Sequence, residues 1–376
     1  MFEKKHEMIR KLAREFAENE LEPYAVEVDE TGEYRPEVWK KVADAGLNSI
    51  TIPKQYGGQG GDYKSLVIVC EELCAKDVGA SSLIMANSLS SGSVKLFANE
   101  EQKQKYLVPL AKGETQAAFA LTEPGAGSDS GSVSTTAEDM GDYYLLNGRK
   151  CFITMAPKAD WITVFAKTDP KAGTRGITAF IVEKDYEGFS IGKIENKMGM
   201  HGSVTSDVIL ENVKVPKENV IGGVGKGFKI AMGTLDTGRV TVASQGLGAA
   251  KGALDCAVQY SKERIQFGRP ISKLQNTQFK LAEMATKVEA ARRVVYNAAD
   301  MIDKGEKVTA EAAMAKLLAS ETAVEVANMS LQIHGGYGYM HEYAIERIYR
   351  DARLIPIYEG TSEIQKLVIS RAVLAD

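Results

Sequence analysis

Four short segments carry residue types suited to catalysis or ligand binding. In Ile357-Tyr358-Glu359-Gly360-Thr361-Ser362-Glu363 a carboxylate follows an apolar stretch and precedes a helical pattern. Burial there raises the pKa of Glu359 and keeps it available as a proton acceptor. The competing reading is a helix start, capped by Thr361 or Ser362 and merely flanked by Glu359. In Phe119-Ala120-Leu121-Thr122-Glu123-Pro124-Gly125-Ala126-Gly127-Ser128-Asp129 an apolar strand end runs into a glycine-rich loop with hydroxyl and carboxylate groups. Such glycines let backbone N–H groups approach a ligand, and Thr or Ser adds side-chain hydrogen bonds. Arg264-Ile265-Gln266-Phe267-Gly268, followed by Gln275, offers a cation and amides for a pyrophosphate and a ring to lie against a flat ligand. Read alone, it is equally a helix C-terminus whose Arg answers the dipole. Gln332-Ile333-His334-Gly335-Gly336-Tyr337-Gly338 reads by itself as a glycine C-cap.

Other chemistries find no foothold. Gly222-Gly223-Val224-Gly225-Lys226-Gly227 alternates glycines, but Phe228 stands where a dinucleotide fingerprint needs its third glycine. A flexible strand-to-helix connection is the reading there. No P-loop and no Gly-x-Ser-x-Gly elbow occurs. His6, His201, His334 and His341 lack metal-ligand spacing, so no metal is expected. Cys70, Cys74, Cys151 and Cys256 read as reduced thiols, mostly buried.

The elements that must position these segments fall into three regions. Residues 1–113 repeat apolar positions at helical spacing, as in Met8, Ile9, Leu12, Phe16 and Leu21, then over Glu37–Ala45 and Tyr63–Ala75. Residues 114–222 change to strand spacing. Tyr143–Leu146 and Cys151–Thr154 flank Asn147-Gly148, a hairpin signal. Trp161–Lys167, Gly176–Val182, Phe189–Ile194 and Asp207–Val213 follow as short strands, which predicts an antiparallel barrel or sandwich. Residues 223–376 return to long helices, about Phe228–Arg264, Leu274–Lys304, Thr309–Ile333 and a last one after Thr361. The fold class is therefore α+β multidomain: an all-α N-terminal domain, a middle antiparallel β domain and a C-terminal four-helix bundle.

Composition agrees with a globular protein able to bury a large core. Among 376 residues, Lys+Arg 46 against Asp+Glu 50 leaves a net charge of −4, without the basic excess of a nucleic-acid binder. The longest uncharged stretch, Val78–Val94, is too rich in Ser, Asn and Gly to span a bilayer. Met1–Lys5 has no apolar run of the signal-peptide kind, and a cytoplasmic protein is expected.

The four segments, in this order, resemble the acyl-CoA dehydrogenase family over nearly the whole chain. They match Thr-Glu-Pro-Gly-x-Gly-Ser-Asp, Arg-x-x-Phe-Gly, Gln-x-x-Gly-Gly-x-Gly and Ile-Tyr-Glu-Gly-Thr-Ser-Glu. The stretches Leu235–Lys251 and Arg350–Ser370 look most like the short-chain, butyryl-CoA-type members.

That resemblance implies FAD-dependent removal of hydrogens from the α and β carbons of a short-chain acyl-CoA, giving the trans-2-enoyl-CoA. Glu359 would be the base, with hydride passing to flavin N5. The Glu359 N–H and a flavin hydroxyl would hold the thioester oxygen. Some members carry the base on a bundle helix at the position of Gly238, and glycine cannot serve. Phe119, Leu121, Thr122, Gly127, Ser128, Phe152, Ile153 and Thr154 would surround the flavin and its pyrophosphate. Arg264, Phe267, Gln275, Gln332, Gly335 and Gly336 would reach the FAD of a neighbouring subunit in a homotetramer, and Thr361 and Glu363 its ADP portion. Ser128, Leu235, Asp236, Arg239, Tyr358 and Gly360 would contact acyl-CoA. Electron-transfer flavoprotein is the implied electron partner. Phe152-Ile153-Thr154-Met155 departs from the family's common Trp-Ile-Thr-Asn, which changes the wall beside the flavin, and Pro356 replaces a usual polar residue. Met85–Gly92 is expected to line the acyl pocket with small polar groups. Alternatives are the reverse reaction, as an enoyl-CoA reductase, a branched, cyclic or aryl acyl group, or a catalytically silent acyl-CoA-binding homologue.

Overall fold

Side-chain caps mark where the helices begin. Asp62 Oδ1 accepts from Ser65 N at 2.8 Å, and Asn99 and Gln102 form a reciprocal capping box. The computed structural model describes residues 2–375. Its N-terminal region contains α1 (Lys4–Phe16), α2 (Ala25–Thr31), α3 (Pro36–Asp44), α4 (Tyr63–Cys74), α5 (Ser82–Phe97) and α6 (Glu100–Ala111).

The strands follow: β1 (Ala117–Ala120), β2 (Thr136–Asp139), β3 (Tyr143–Thr154), β4 (Trp161–Lys167), β5 (Ile177–Glu183), β6 (Phe189–Ile194), β7 (Thr205–Pro216) and β8 (Val220–Ile221). They form one sheet in the order β6-β7-β3-β2-β4-β5-β8, with β1 beside β4. β4 is mostly apolar, with Thr163 and the terminal Lys167 as exceptions, and both of its faces are covered. Trp161 and Phe165 pack with Leu107 and Leu110 of α6, while Ile162 and Val164 join the strand-lined core of Phe180, Val208 and Val213.

Two details depart from the strand expectations. Asn147-Gly148 is no hairpin: β3 runs straight through it, and both halves pair with β7, from Tyr143↔Pro216 to Thr154↔Thr205. A bulge between Leu146 and Gly148 absorbs the irregularity, and the Asn147 side chain reaches Asn212 on β7. The sheet is also not wholly antiparallel, since β1 pairs with β4 in parallel. The intervening β3, antiparallel to β2, makes that possible by returning the chain to the same end of the sheet.

The bundle holds α7 (Gly227–Glu263), α8 (Gln275–Asp303), α9 (Thr309–His334), α10 (Ala344–Ala352) and α11 (Ser362–Val373). A small hairpin, β9 (Ile265–Gln266) and β10 (Arg269–Pro270), separates α7 from α8. Residues 222–226 form the glycine connection into α7, as expected. Thr309 meets Asp236, Ala319 meets Gly246, and His334 stacks on Tyr260, so α7 and α9 lie side by side in the same direction. A Cβ at Gly246 would come 3.0 Å from the Ala319 backbone, and that close approach sets the helix spacing. No described helix is long and apolar enough to cross a membrane.

Candidate active site

The Glu359 loop joins α10 to α11. Thr361 caps α11, its hydroxyl accepting from Ile364 N at 3.4 Å, so the capping reading holds, and Glu359 is free for another task. Glu359 sits in the left-handed region at φ +50, followed by Gly360 at φ +92. For a non-glycine residue this conformation costs on the order of 1–2 kcal/mol and persists only when neighbours impose it. Here Gln365 Nε2 donates to Gly360 O at 2.8 Å and to Glu359 O at 3.3 Å. Lys316 Nζ of α9 donates to Gly360 O at 2.7 Å, Tyr358 OH donates to Gln245 Oε1, and Ser362 N donates to Pro356 O at 2.9 Å.

The resulting carboxyl has an unusual setting. Glu359 Oε2 is shut off from solvent and has no hydrogen-bond partner among the described residues. It faces Gly238 on α7: a Cβ built there would stand 2.9 Å from Oε2 and 2.8 Å from Leu89 Cδ2. Burial pushes the Glu359 pKa up to about 7, against the pull of Lys316 and Arg239. Arg239 is buried, with Nη1 2.7 Å from Asp236 Oδ1, and Thr309 Oγ1 donates to Asp236 Oδ2 at 2.9 Å. A carboxyl poised near neutrality suits proton transfer in either direction.

α5 forms the wall between this carboxyl and the glycine-rich loop. Leu89 faces Gly238 and Glu359, whereas Ser90 donates to Ala118 O and Asn87 Oδ1 accepts from Ala117 N at 2.7 Å. Ser93 hydrogen-bonds Thr234 at 3.2 Å. The expectation of a polar acyl pocket along Met85–Gly92 is thus narrowed. Asn87 and Ser90 are spent in docking α5 onto β1, Ser91 donates to Ser88 O within α5, and the side chain presented toward Glu359 is leucine.

β1 leads into the loop carrying Leu121, Thr122, Gly127 and Ser128. Beneath it lies a fully buried ion pair that sequence reasoning missed: Lys150 Nζ sits 2.7 Å from Glu123 Oε1 and 3.2 Å from Leu121 O. Glu123 also accepts from the N–H and hydroxyl groups of Ser134 and Thr135. Burial opposes its charge but is outweighed by Lys150 and these hydroxyls, which hold Glu123 at about 2. Cys151 N donates to Thr122 O, and the ladder slips between Lys150 and Ile153. That slip leaves Phe152 at φ +58 and 65% exposed, while Ile153 is buried and Thr154 half-buried.

The remaining predicted residues gather elsewhere. Arg264, His334, Gly335, Gly336 and Tyr337 line a cavity of about 540 Å³ at the far end of α7 and α9. Phe267 and Gly268 form the two-residue turn of the β9–β10 hairpin, both with positive φ, and Phe267 is 90% exposed. Gln275 and Gln332 are exposed at neighbouring helix ends. Position 264 lies 26 residues beyond Gly238, about 39 Å along a continuous helix at 1.5 Å per residue. One chain therefore brings Phe119, Leu235, Asp236, Arg239, Tyr358, Glu359, Gly360, Thr361 and Glu363 to one end of α7 and keeps the Arg264 cluster at the other.

Residues 3–114, 118–213 and 225–374 match the family models of the acyl-CoA dehydrogenase N-terminal, middle and C-terminal domains. The chain belongs to the acyl-CoA dehydrogenase family, whose members are FAD-dependent oxidoreductases. It is 56% identical to the 3-(aryl)acrylate reductase of Clostridium sporogenes over 99% of both chains. It is 55% identical to the caffeyl-CoA reductase-Etf complex subunit CarC of Acetobacterium woodii, again over 99% of both. Butyryl-CoA dehydrogenase from Megasphaera elsdenii shares the fold with a TM-score of 0.98 at 45% identity, covering 100% of this chain and 99% of that one.

Proposed function

We propose that this chain interconverts an acyl-CoA and its trans-2-enoyl-CoA, with Glu359 exchanging the α proton, and that it works mainly as a reductase of 3-arylacryloyl-type thioesters. The observation that carries the chemistry is the buried Oε2 of Glu359, unpartnered and facing Gly238. An α proton beside a thioester is only weakly acidic, so a carboxylate held in place and ready to accept it is what the reaction demands. In the reducing direction the same group returns the proton as the carboxylic acid.

FAD, when bound, supplies the hydride acceptor or donor for the β carbon. The residues fit such a group. A Cβ at Gly125, Gly127, Gly268, Gly335 or Gly336 would meet nothing within 4 Å, and Arg264 offers a permanent cation in an aromatic-lined cavity. Phe119, Leu121, Thr122, Ser128 and Phe152–Thr154 would hold it on one subunit. The separation along α7 supports the reading in which Arg264, Phe267, Gln275, Gln332, Gly335 and Gly336 serve a second copy, in a homo-oligomer. Asp236, Arg239 and Leu235 would meet the thioester's CoA side.

The reducing direction is supported by the two reductases named above, one of them a subunit of an Etf complex. Electron-transfer flavoprotein is accordingly the proposed electron partner. Short-chain dehydrogenation is the second reading, favoured by the likeness to butyryl-CoA dehydrogenase. The deciding experiment mixes anaerobically reduced holoprotein with cinnamoyl-CoA or crotonyl-CoA and follows flavin reoxidation. Faster reoxidation by cinnamoyl-CoA supports the aryl reductase; preference for crotonyl-CoA, with rapid bleaching of oxidised flavin by butyryl-CoA, supports the short-chain enzyme.

A further inference from the structure

Lys316 stands in the wrong kind of place for a lysine. On α9 it follows Ala312 and precedes Ala319 and Ala323 at spacings of one turn, in the stripe of small residues packed against α7. All four are 0% exposed. A buried ammonium carries a large desolvation cost, and an apolar residue of similar volume would ordinarily stabilise the bundle more. Its hydrogen bond goes to a backbone carbonyl, Gly360 O, at 2.7 Å, within the turn that carries Glu359.

We propose that Lys316 is a positioning residue for Glu359: it pins the left-handed Glu359–Gly360 turn through the Gly360 carbonyl, and its charge keeps the carboxyl available as carboxylate. This rests on Glu359 being the proton-transfer group. Three elements and the loop itself place charge or polarity around the carboxyl. α7 contributes Arg239, itself paired with Asp236; α9 contributes Lys316; α11 contributes Glu363, which acts on Lys316. Within the loop, Tyr358 is engaged with Gln245, and α5 presents only Leu89. Arg239 already spends a hydrogen bond on Asp236, so of these two cations Lys316 is the one without a carboxylate partner of its own among the described residues. Consistent with this, burial lowers the Lys316 pKa to about 8, and Glu359 is the first group opposing that fall.

The test is the pH profile of flavin reduction by a saturated acyl-CoA in single turnover, using Lys316→Met, Lys316→Gln and Lys316→Arg holoproteins. Without the positive charge Glu359 holds its proton to higher pH. The Met variant should therefore reduce flavin about fivefold more slowly at pH 7, with the rising limb moved up by about one pH unit. The Arg variant should keep the wild-type limb. If the Met variant fails to retain flavin, the Gln variant decides, since it preserves a donor to Gly360 O and loses only the charge. An unmoved limb in the variant that folds overturns the proposal, whatever its rate. Glu359→Gln, run in parallel, separates the two ideas. Turnover surviving there defeats the proposed function, whereas a silent Glu359→Gln with an unmoved Lys316 limb defeats only the role of Lys316.

Discussion

Glu359 Oε2 occupies the space that any side chain at position 238 would enter, 2.9 Å from where a Cβ would stand. The carboxyl from the α10–α11 loop and the bare backbone of α7 are complementary, and Leu89 closes the third side. The site is thus defined by a missing side chain as much as by a present one.

Gly238→Ala should consequently act on rate. The new methyl meets both Leu89 and the carboxyl, and a shift of the leucine leaves the contact with the carboxyl in place. A drop in flavin reduction of roughly 10–100-fold is expected, in keeping with the sensitivity of catalysis to displacements of about 1 Å. Adding Leu89→Ala should recover little of it. Stopped-flow reduction of both variants measures this, and full recovery in the double variant would mean that Leu89 alone sets the clash.

The raised pKa fixes the sign of the pH dependence. Dehydrogenation needs the carboxylate and should rise with pH through about 7, whereas enoyl-CoA reduction needs the acid and should fall through the same range. Stability follows the same group. Its value is raised from the ordinary 4.5, so the favourable contribution of the protonated form is complete below 4.5 and disappears as pH rises through about 7. Glu359→Gln keeps a neutral group at every pH. It should be more stable than wild type at pH 8 by on the order of 1–3 kcal/mol and equal to it at pH 4, as thermal melts of apoprotein would show.

Under the glycine-rich loop, Lys150→Met should be strongly destabilising. It strands the Glu123 carboxylate in the core, and breaking a buried pair on one side costs about 3–5 kcal/mol. The double variant Lys150→Met/Glu123→Gln should regain much of that loss. Urea unfolding of the two variants makes the comparison.

Phe267 separates folding from assembly. At φ +52 it is strained, and Asn tolerates this region better, so Phe267→Asn should leave subunit stability unchanged or raise it by up to about 1 kcal/mol. Flavin retention through gel filtration should nonetheless fall, since the proposed role of the exposed ring is to reach the flavin of a second copy. Unaltered flavin content would place Phe267 outside the cofactor contacts.

Much of this was legible in the residues, for identifiable reasons. The helices α7, α8 and α9 are long enough for their periodicity to be unambiguous, and the α7 start follows from its glycine connection. Glu359 stood out as a charge in an apolar context. Asn147-Gly148 misled because its turn propensity is local, whereas pairing of both halves of β3 with β7 is decided by the sheet. Lys150 and Lys316 escaped notice because a lysine is exposed by default. Only the placement of Lys316 in the Ala312, Ala319, Ala323 stripe signalled otherwise. Asn87 and Ser90 read as pocket groups until the docking of α5 on β1 showed what they bond.

The central claim is that Glu359 moves the α proton, and isotope exchange tests it most directly. Holoprotein incubated with a saturated acyl-CoA in D₂O should place deuterium at the α carbon, read by mass spectrometry. Glu359→Gln should bind FAD and thioester as before and lose at least about 10²-fold in exchange rate. Exchange by that variant at near the wild-type rate would contradict the account.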